Sequence, residues 1–235
     1  MGNWMGRLLL VMVWSICWAA GAVASDLTDV VATVEQGYQT LVDLQAEFSQ
    51  KTTLAAIGRS EKGNGELLLR RGKDGSAAQF RFDYRKPVQQ IVSDGKTLWY
   101  FVPETKQVIT SDMAAVTSGS NGLAMAYLTG MGQLSRDFTA KSASRNKQGN
   151  YVLELVPKKP SAVLARLQLT VSATALEQYR TAGAAKVPFP LVASTVTDAA
   201  GNRTEISYSK IKVNGGLGSD RFKFKVPAGV AVVKQ

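Results

Sequence analysis

The chain has 235 residues, a formal net charge of +10, no histidine and a single cysteine, Cys17. This composition excludes Ser-His-Asp and Cys-His catalysis and every metal site that contains histidine. Catalysis by carboxylates alone remains, but no pair of acidic residues has a spacing that favours acid–base work. We therefore expect neither an enzyme nor a metal or organic cofactor.

Residues 1–24 have the pattern of a secretory signal peptide. A positive charge precedes an apolar run that ends near Ala20, and Ala22-Val23-Ala24 fits the small-x-small cleavage pattern. We expect cleavage after Ala24 and a single exported, soluble domain over residues 25–235. A lipoprotein signal at Cys17 is the alternative, and Ile16 disfavours it because a small residue normally precedes a lipid-acceptor cysteine.

The first predicted element is an amphipathic helix from Asp26 to Leu44. Asp26 and Asp29 lie in its first turn, where the helix dipole favours negative charge. Its apolar residues recur at helical spacing: Leu27, Val30, Val31, Val34, Tyr38 and Leu41. Alternation with a period of two follows directly and predicts a strand over Leu44–Ser49.

A run of strands comes next. Asp94-Gly95 separates two β-rich runs and predicts a hairpin of Ile91–Ser93 with Thr97–Phe101. The neighbouring strands are predicted over Gly65–Arg71, Phe80–Tyr84 and Lys106–Thr110. Because side chains alternate along a strand, three sets of apolar residues each share a face: Leu67 with Leu69, Phe80 with Phe82 and Tyr84, and Trp99 with Phe101.

The middle of the chain, Met113–Met131, is rich in Ala, Gly, Ser and Met and lacks alternation. Leu123, Ala126 and Tyr127 share a helical face, so we predict one or two short helices weakened by glycine. Ser172–Pro190 is predicted to be irregular. Further strands are predicted over Phe138–Ser144, Tyr151–Val156, Ala165–Val171, Leu191–Thr197 and Thr204–Val213.

The basic residues are concentrated late, with seven between Arg203 and Lys234 against two acidic residues. Such an excess indicates either a solvated strand face or docking to acidic proteins or anionic membranes. Nucleic acid is not an expected partner, because no basic cluster contains interleaved aromatic residues.

About eleven strands with few helices predict an α+β fold, an incomplete (open) antiparallel β-barrel with an N-terminal helix and short helices over one face. The apolar strand faces then line either an ordinary core or a ligand cavity, and composition does not distinguish the two.

The order of several segments along the chain, and their residue sequences, resemble those of the LolA family of periplasmic carriers of outer-membrane lipoproteins. They are Phe80-x-Phe82-x-Tyr84-x-x-Pro87, Ser93-Asp94-Gly95-Lys96-Thr97-Leu98-Trp99, Gly63-x-Gly65-Glu66-Leu67 and the closing Phe222-x-Phe224-x-x-Pro227-x-Gly229-Val230. The resemblance implies an open barrel with a helical lid over an apolar cavity. The glycine-weakened segment Gly119–Gly132 is the part expected to move aside as that lid. It implies a monomer that takes acylated lipoproteins from an inner-membrane ABC transporter to an outer-membrane LolB-like receptor in the periplasm.

The resemblance also implies residue roles. An arginine that holds the lid closed matches Arg71, with Arg70 adjacent, although the turn 72–78 is longer than the family usually has. The residues expected to line the acyl-binding cavity are Leu67, Leu69, Phe80, Phe82, Tyr84, Trp99, Phe101, Leu123 and Tyr127. Two alternatives stay open: another amphiphilic cargo such as a glycolipid, and an RseB-like regulatory binding module.

Overall fold

A computed structural model of the protein describes residues 19–72, 77–118, 133–159 and 162–235. The helices are α1 (Ala19–Thr40), α2 (Met113–Ser118), α3 (Leu134–Asp137) and α4 (Ala173–Ala182), with 3-10 turns at Pro103–Thr105 and Ser219–Phe222. The strands are β1 (Asp43–Leu54), β2 (Arg59–Arg70), β3 (Gln79–Lys86), β4 (Val88–Ser93), β5 (Thr97–Val102), β6 (Gln107–Asp112), β7 (Phe138–Arg145), β8 (Tyr151–Pro157), β9 (Arg166–Val171), β10 (Leu191–Thr197), β11 (Arg203–Val213) and β12 (Ala231–Lys234).

The described residues form one sheet of twelve strands in the order β12-β6-β5-β4-β3-β2-β1-β11-β10-β9-β8-β7. Two antiparallel meanders, β1–β6 and β7–β11, meet where β1 pairs with β11. β7 and β12 stand at the two ends of the strand order, so the barrel is open. The predicted fold class is confirmed, and all eleven predicted strands are present.

Three elements differ from the prediction. The helix α1 begins at Ala19 rather than Asp26 and ends at Thr40 rather than Leu44, so Asp26 and Asp29 lie beyond its first turn. The supposedly irregular stretch 172–190 contains α4, whose N-cap Ser172 accepts a hydrogen bond from the Ala175 N–H and whose C-cap Gly183 has a φ of 68°. The twelfth strand, β12, was not predicted, and it pairs with β6 in the parallel direction.

The predicted Asp94-Gly95 hairpin is confirmed. Asp94 Oδ1 accepts hydrogen bonds from the N–H groups of Lys96 and Thr97, both at 2.8 Å. Gly95 has a φ of 92°, which a residue with a side chain rarely adopts. The turn therefore sets the register in which β5 returns along β4.

The junction between α1 and β1 is held by polar groups from distant parts of the chain. The Asn214 amide donates to the Thr40 carbonyl at 3.0 Å, which caps the last turn of α1. The buried carboxylate of Asp43 accepts hydrogen bonds from the N–H groups of Gly215, Gly216 and Leu217. These bonds explain why the helix ends before Leu44, the limit predicted from its apolar spacing.

The C-terminal strap, defined here as residues 214–235, crosses the outer face of the sheet from β11 to β6. Phe222 is fully buried where the 3-10 turn Ser219–Phe222 lies against β3. Phe224 stacks on Trp99 with ring centroids 6.0 Å apart and lies 5.9 Å from Phe101. The strap therefore gives the outer face a second, smaller apolar core, separate from the main core inside the barrel.

Candidate functional site

The register of β3 to β6 sets two rows of side chains on the concave side of the sheet. One row runs from Phe82 through Ile91 and Tyr100 to Ile109. The other runs from Phe80 through Ser93 and Leu98 to Ser111. The term inner patch is used below for the six apolar residues Phe80, Phe82, Tyr84, Ile91, Leu98 and Tyr100.

Two residues of the inner patch are packed into the main core, and the other four are partly accessible to solvent. Phe80 and Phe82 are buried, whereas Tyr84, Ile91, Leu98 and Tyr100 are half-buried. A half-buried row of large apolar side chains on a concave face is a surface that an apolar ligand can cover.

Aromatic contacts continue the inner patch into the main core. The ring of Phe48 on β1 meets the rings of Phe82 and Tyr84 edge to face, with centroids 5.5 Å and 4.8 Å apart. The hydroxyl of Tyr84 donates to Gln50 Oε1 at 2.9 Å, and burial raises the pKa of Tyr84 to about 12. Tyr84 is therefore neutral at physiological pH, and the inner patch presents an uncharged surface.

The helix α1 covers the opposite half of the concave side. It packs against β7 and β8 and against α4, and it buries Val30, Val34 and Tyr38. Arg180 on α4 donates to the carboxylates of Asp26 and Asp29, the latter at 2.8 Å. Hydrogen bonding to Asp26 raises the pKa of Arg180, so this link stays ionised.

Arg71 lies at the end of β2, where α1 ends. Its Nη1 donates to the carbonyl oxygens of Tyr38 and Gln39 at 3.1 and 3.0 Å. Arg70 points elsewhere, to Gln79 Oε1 at 3.2 Å. Of the two arginines, Arg71 is the one that contacts a helix covering the concave side. The predicted lid, Gly119–Gly132, lies outside the described residues.

The structure corrects the placement of two predicted cavity residues. Trp99 pairs with Val92, and Phe101 pairs with Gln90, which puts both on the outer face against Phe224. The two side chains do share a face as predicted, but it is the opposite face from Phe80. Their neighbours Leu98 and Tyr100 occupy the concave side instead. All four residues are apolar or aromatic, so the strand lacks the alternation that would have identified the buried face.

The other predicted lining residues divide into three groups. Leu67, Leu69, Phe80 and Phe82 are buried in the main core, and Tyr84 packs against it. Leu123 and Tyr127 lie outside the described residues. Residues 77–118 and the other described segments contain no group of three or more His, Cys, Asp or Glu side chains arranged to hold a metal ion.

Comparison with known proteins identifies the family. The model of "Outer membrane lipoprotein carrier protein LolA" matches residues 39–187. A relative from Chromobacterium violaceum named outer-membrane lipoprotein carrier protein is 31% identical over 227 residues, which is 96% of this chain and 97% of the relative. The chain belongs to the LolA family. A protein of the same name from Albidiferax ferrireducens is 32% identical and covers 81% of this chain and 84% of its own length.

Solved structures similar to this LolA-family chain are more distant. An uncharacterised conserved protein from Thermus thermophilus is 14% identical, with a TM-score of 0.49 over 88% of this chain and 98% of that one. A LolA superfamily protein from Nitrosomonas europaea is 14% identical, with a TM-score of 0.38 over 86% of this chain and 97% of that one. At these scores the likeness supports no statement about function. No helix in the described part of the chain combines the length and hydropathy needed to cross a bilayer.

Proposed function

We propose that this LolA-family protein is a periplasmic carrier that shields the acyl chains of lipoproteins on its concave face. The observation that carries the proposal is the inner patch, an uncharged and half-buried aromatic surface, in a chain of the lipoprotein-carrier family. The protein binds and releases its cargo and breaks no bond.

The energetics of the task suit such a surface. Each methylene buried from water contributes about 0.8 kcal/mol, so acyl chains need a cover while they cross an aqueous space. A carrier must also release the chains, and a partly open patch gives a contact area smaller than a closed cavity would. The residues that contact the acyl chains in this proposal are Tyr84, Ile91, Leu98 and Tyr100, with Phe80 and Phe82 beneath them.

The predicted export signal supports a periplasmic route, and the family resemblance suggests the donor and the receptor. Residues 1–24 are removed on export, and the mature domain starts at Ser25, one residue before the Asp26 partner of Arg180. The carrier receives lipoproteins from an inner-membrane ABC transporter and gives them to a LolB-like receptor on the outer membrane. In this scheme it acts as a monomer.

Arg71 controls access in this proposal by holding the last turn of α1. Its two hydrogen bonds to the Tyr38 and Gln39 carbonyls support that role, because they are polar contacts made in addition to the apolar packing of the helix. The proposal includes the predicted role of Arg71 as the latch of the lid Gly119–Gly132.

Photo-crosslinking from neighbouring positions on opposite faces tests the carrier role. Tyr100→p-benzoylphenylalanine places the probe on the inner patch, and Phe101→p-benzoylphenylalanine places it on the outer face. Irradiation in periplasm should crosslink the first variant, and not the second, to acylated lipoproteins. Equal yields from both positions would contradict binding at the inner patch. Crosslinking of a glycolipid at position 100 would identify a different cargo. Crosslinking of a single regulatory protein there would favour a regulatory binding module over a carrier.

A further inference from the structure

The hydroxyl of Tyr38 is an unpaired polar group inside the main core. Tyr38 is 3% exposed, and its hydroxyl has no hydrogen-bond partner among the residues that the structure describes. Leaving a buried hydroxyl unpaired lowers the stability of the fold, and replacement by phenylalanine would avoid the cost. Burial raises the pKa of Tyr38 well above its usual value, so the hydroxyl keeps its proton and can donate a hydrogen bond.

The surroundings of this hydroxyl are neutral and aromatic. The Tyr38 ring stacks on Phe189 at 6.0 Å, and Phe189 meets Tyr208 edge to face at 5.3 Å. The nearby hydroxyl of Tyr208 is already paired with Ser194 Oγ at 2.9 Å. Tyr38 therefore supplies a free donor in a site that would not accommodate a charged ligand group.

The position of Tyr38 connects it to the inner patch. Tyr208 lies opposite Phe48 on the paired strands β11 and β1, and Phe48 contacts Phe82 and Tyr84 of the inner patch. Tyr38 also belongs to the last turn of α1, whose carbonyl groups accept hydrogen bonds from Arg71 and Asn214. Tyr38 is thus linked to the inner patch through Phe189, Tyr208 and Phe48.

We propose that the Tyr38 hydroxyl donates a hydrogen bond to an acyl carbonyl oxygen of the cargo, at the ester linkage where the chains join the glyceryl group. The inference rests on the proposed function and adds a polar subsite to it. An acyl carbonyl is a neutral acceptor at the boundary between tail and head group, which matches a neutral donor that Phe189, Tyr208 and Phe48 connect to the inner patch. The hydroxyl then recognises the linkage while the inner patch covers the chains.

A competition between two synthetic lipopeptides tests the subsite. One carries an S-diacylglyceryl cysteine with ester linkages, and the other carries ether linkages on chains of the same length. Native mass spectrometry of the full mature protein with equal amounts of both measures the ratio of the two complexes. The wild type should favour the ester form by about threefold to tenfold, the range expected for one hydrogen bond, and Tyr38→Phe should bring the ratio close to one.

Tyr208→Phe is the matched control, because it removes a hydroxyl that is already paired. It should lower the Tm and keep the preference for the ester form, whereas Tyr38→Phe should keep or raise the Tm. An unchanged ratio in Tyr38→Phe, or a lowered Tm, would overturn the subsite. Equal binding of both peptides by the wild type would overturn it too, but would leave the carrier role intact. Binding of neither peptide would contradict the carrier role itself.

Discussion

At the residue scale, Arg71 and Arg70 are adjacent cations with different partners. Arg71 donates to two carbonyls of α1, and Arg70 donates to a single glutamine of β3. A cation at the C-terminus of a helix stabilises it through the helix dipole and through its hydrogen bonds. This pair therefore offers a comparison between two adjacent arginines of equal charge, of which Arg71 donates to α1 and Arg70 to β3.

Arg71→Leu should lower the free energy of unfolding by about 1 kcal/mol, because two carbonyl acceptors at the end of α1 lose their donor. Urea unfolding measures the change. The same variant should alter the release of bound lipoprotein to receptor-containing membranes if the end of α1 controls access. Arg70→Leu is the control and should leave release unchanged. Identical release from both variants would rule out the latch role.

The buried tyrosines predict a loss of stability at alkaline pH. Burial raises the pKa of Tyr208 to about 12, whereas an unfolded tyrosine loses its proton near pH 10. Between these values the unfolded state binds fewer protons than the folded state, so stability falls as pH rises. Wild type should lose about 2 kcal/mol more than Tyr208→Phe between pH 10 and pH 12 in urea unfolding. Parallel pH profiles would contradict this assignment.

At the element scale, two helices from distant parts of the chain are joined by ion pairs. Arg180 on α4 contacts both Asp26 and Asp29 of α1, with side chains that are about one-quarter to one-third exposed. Asp26 and Asp29 are on adjacent turns of the same helix face, so one guanidinium group holds both. This link positions the N-terminal half of α1, just as Arg71 positions its end.

Arg180→Met should remove this link while it keeps most of the apolar volume of the side chain. The expected loss is about 1–2 kcal/mol, because both carboxylates lose a charge-assisted partner but remain partly solvated. Raising the NaCl concentration should reduce the difference in Tm between wild type and variant. A difference that is insensitive to salt would show that packing, rather than charge, provides the stabilisation.

Most of the strands, but not every helix, could be predicted from the sequence. Turn residues such as Asp94-Gly95 and runs of alternating residues identify β1 to β11. The helix α4 was missed because alanine, glycine and two prolines surround it, although Ser172 and Gly183 are ordinary capping signals. β12 was missed because its four residues are all exposed and show no alternation.

The candidate site was predicted less completely than the fold, for a physical reason. The alternation of side chains along a strand shows that Trp99 and Phe101 share a face. Both faces of β5 are apolar, however, because the strap covers the outer one. Only the pairing of Trp99 with Val92, and the stacking of Phe224 from the C-terminus, determines which face looks outward. A contact between residues so far apart in the chain leaves no local pattern.

At the scale of the whole molecule, the C-terminal strap connects the two meanders across the outer face. Asp43 holds its beginning through three N–H groups, Phe222 is buried at its centre, and β12 fixes its end on β6. Because the strap lies on the outer face, it contributes to stability without occupying the concave side.

Phe222→Ala should lower the free energy of unfolding by about 3–4 kcal/mol, the usual cost of removing a buried phenylalanine ring. Chemical denaturation measures this loss. Crosslinking of cargo from position 100 in the folded fraction should persist, because Phe222 contacts the other side of the sheet. Phe224→Ala, at a half-buried ring, provides a milder comparison. Loss of crosslinking at unchanged stability would show that the strap contributes to the binding site.

Among the described residues, β7 and β12 are the edge strands of the sheet, which has a consequence for association between molecules. If the β7 edge of one chain paired with the β12 edge of the next, the contact would join two different surfaces and could repeat without limit, as in a filament. At one end, a register irregularity between Ala140 and Ser142 places the exposed Lys141 in a bulge of β7. At the other end, β12 offers only four residues in a parallel pairing. Both ends of the sheet are thus poor templates for polymer growth, even though the barrel does not close on itself.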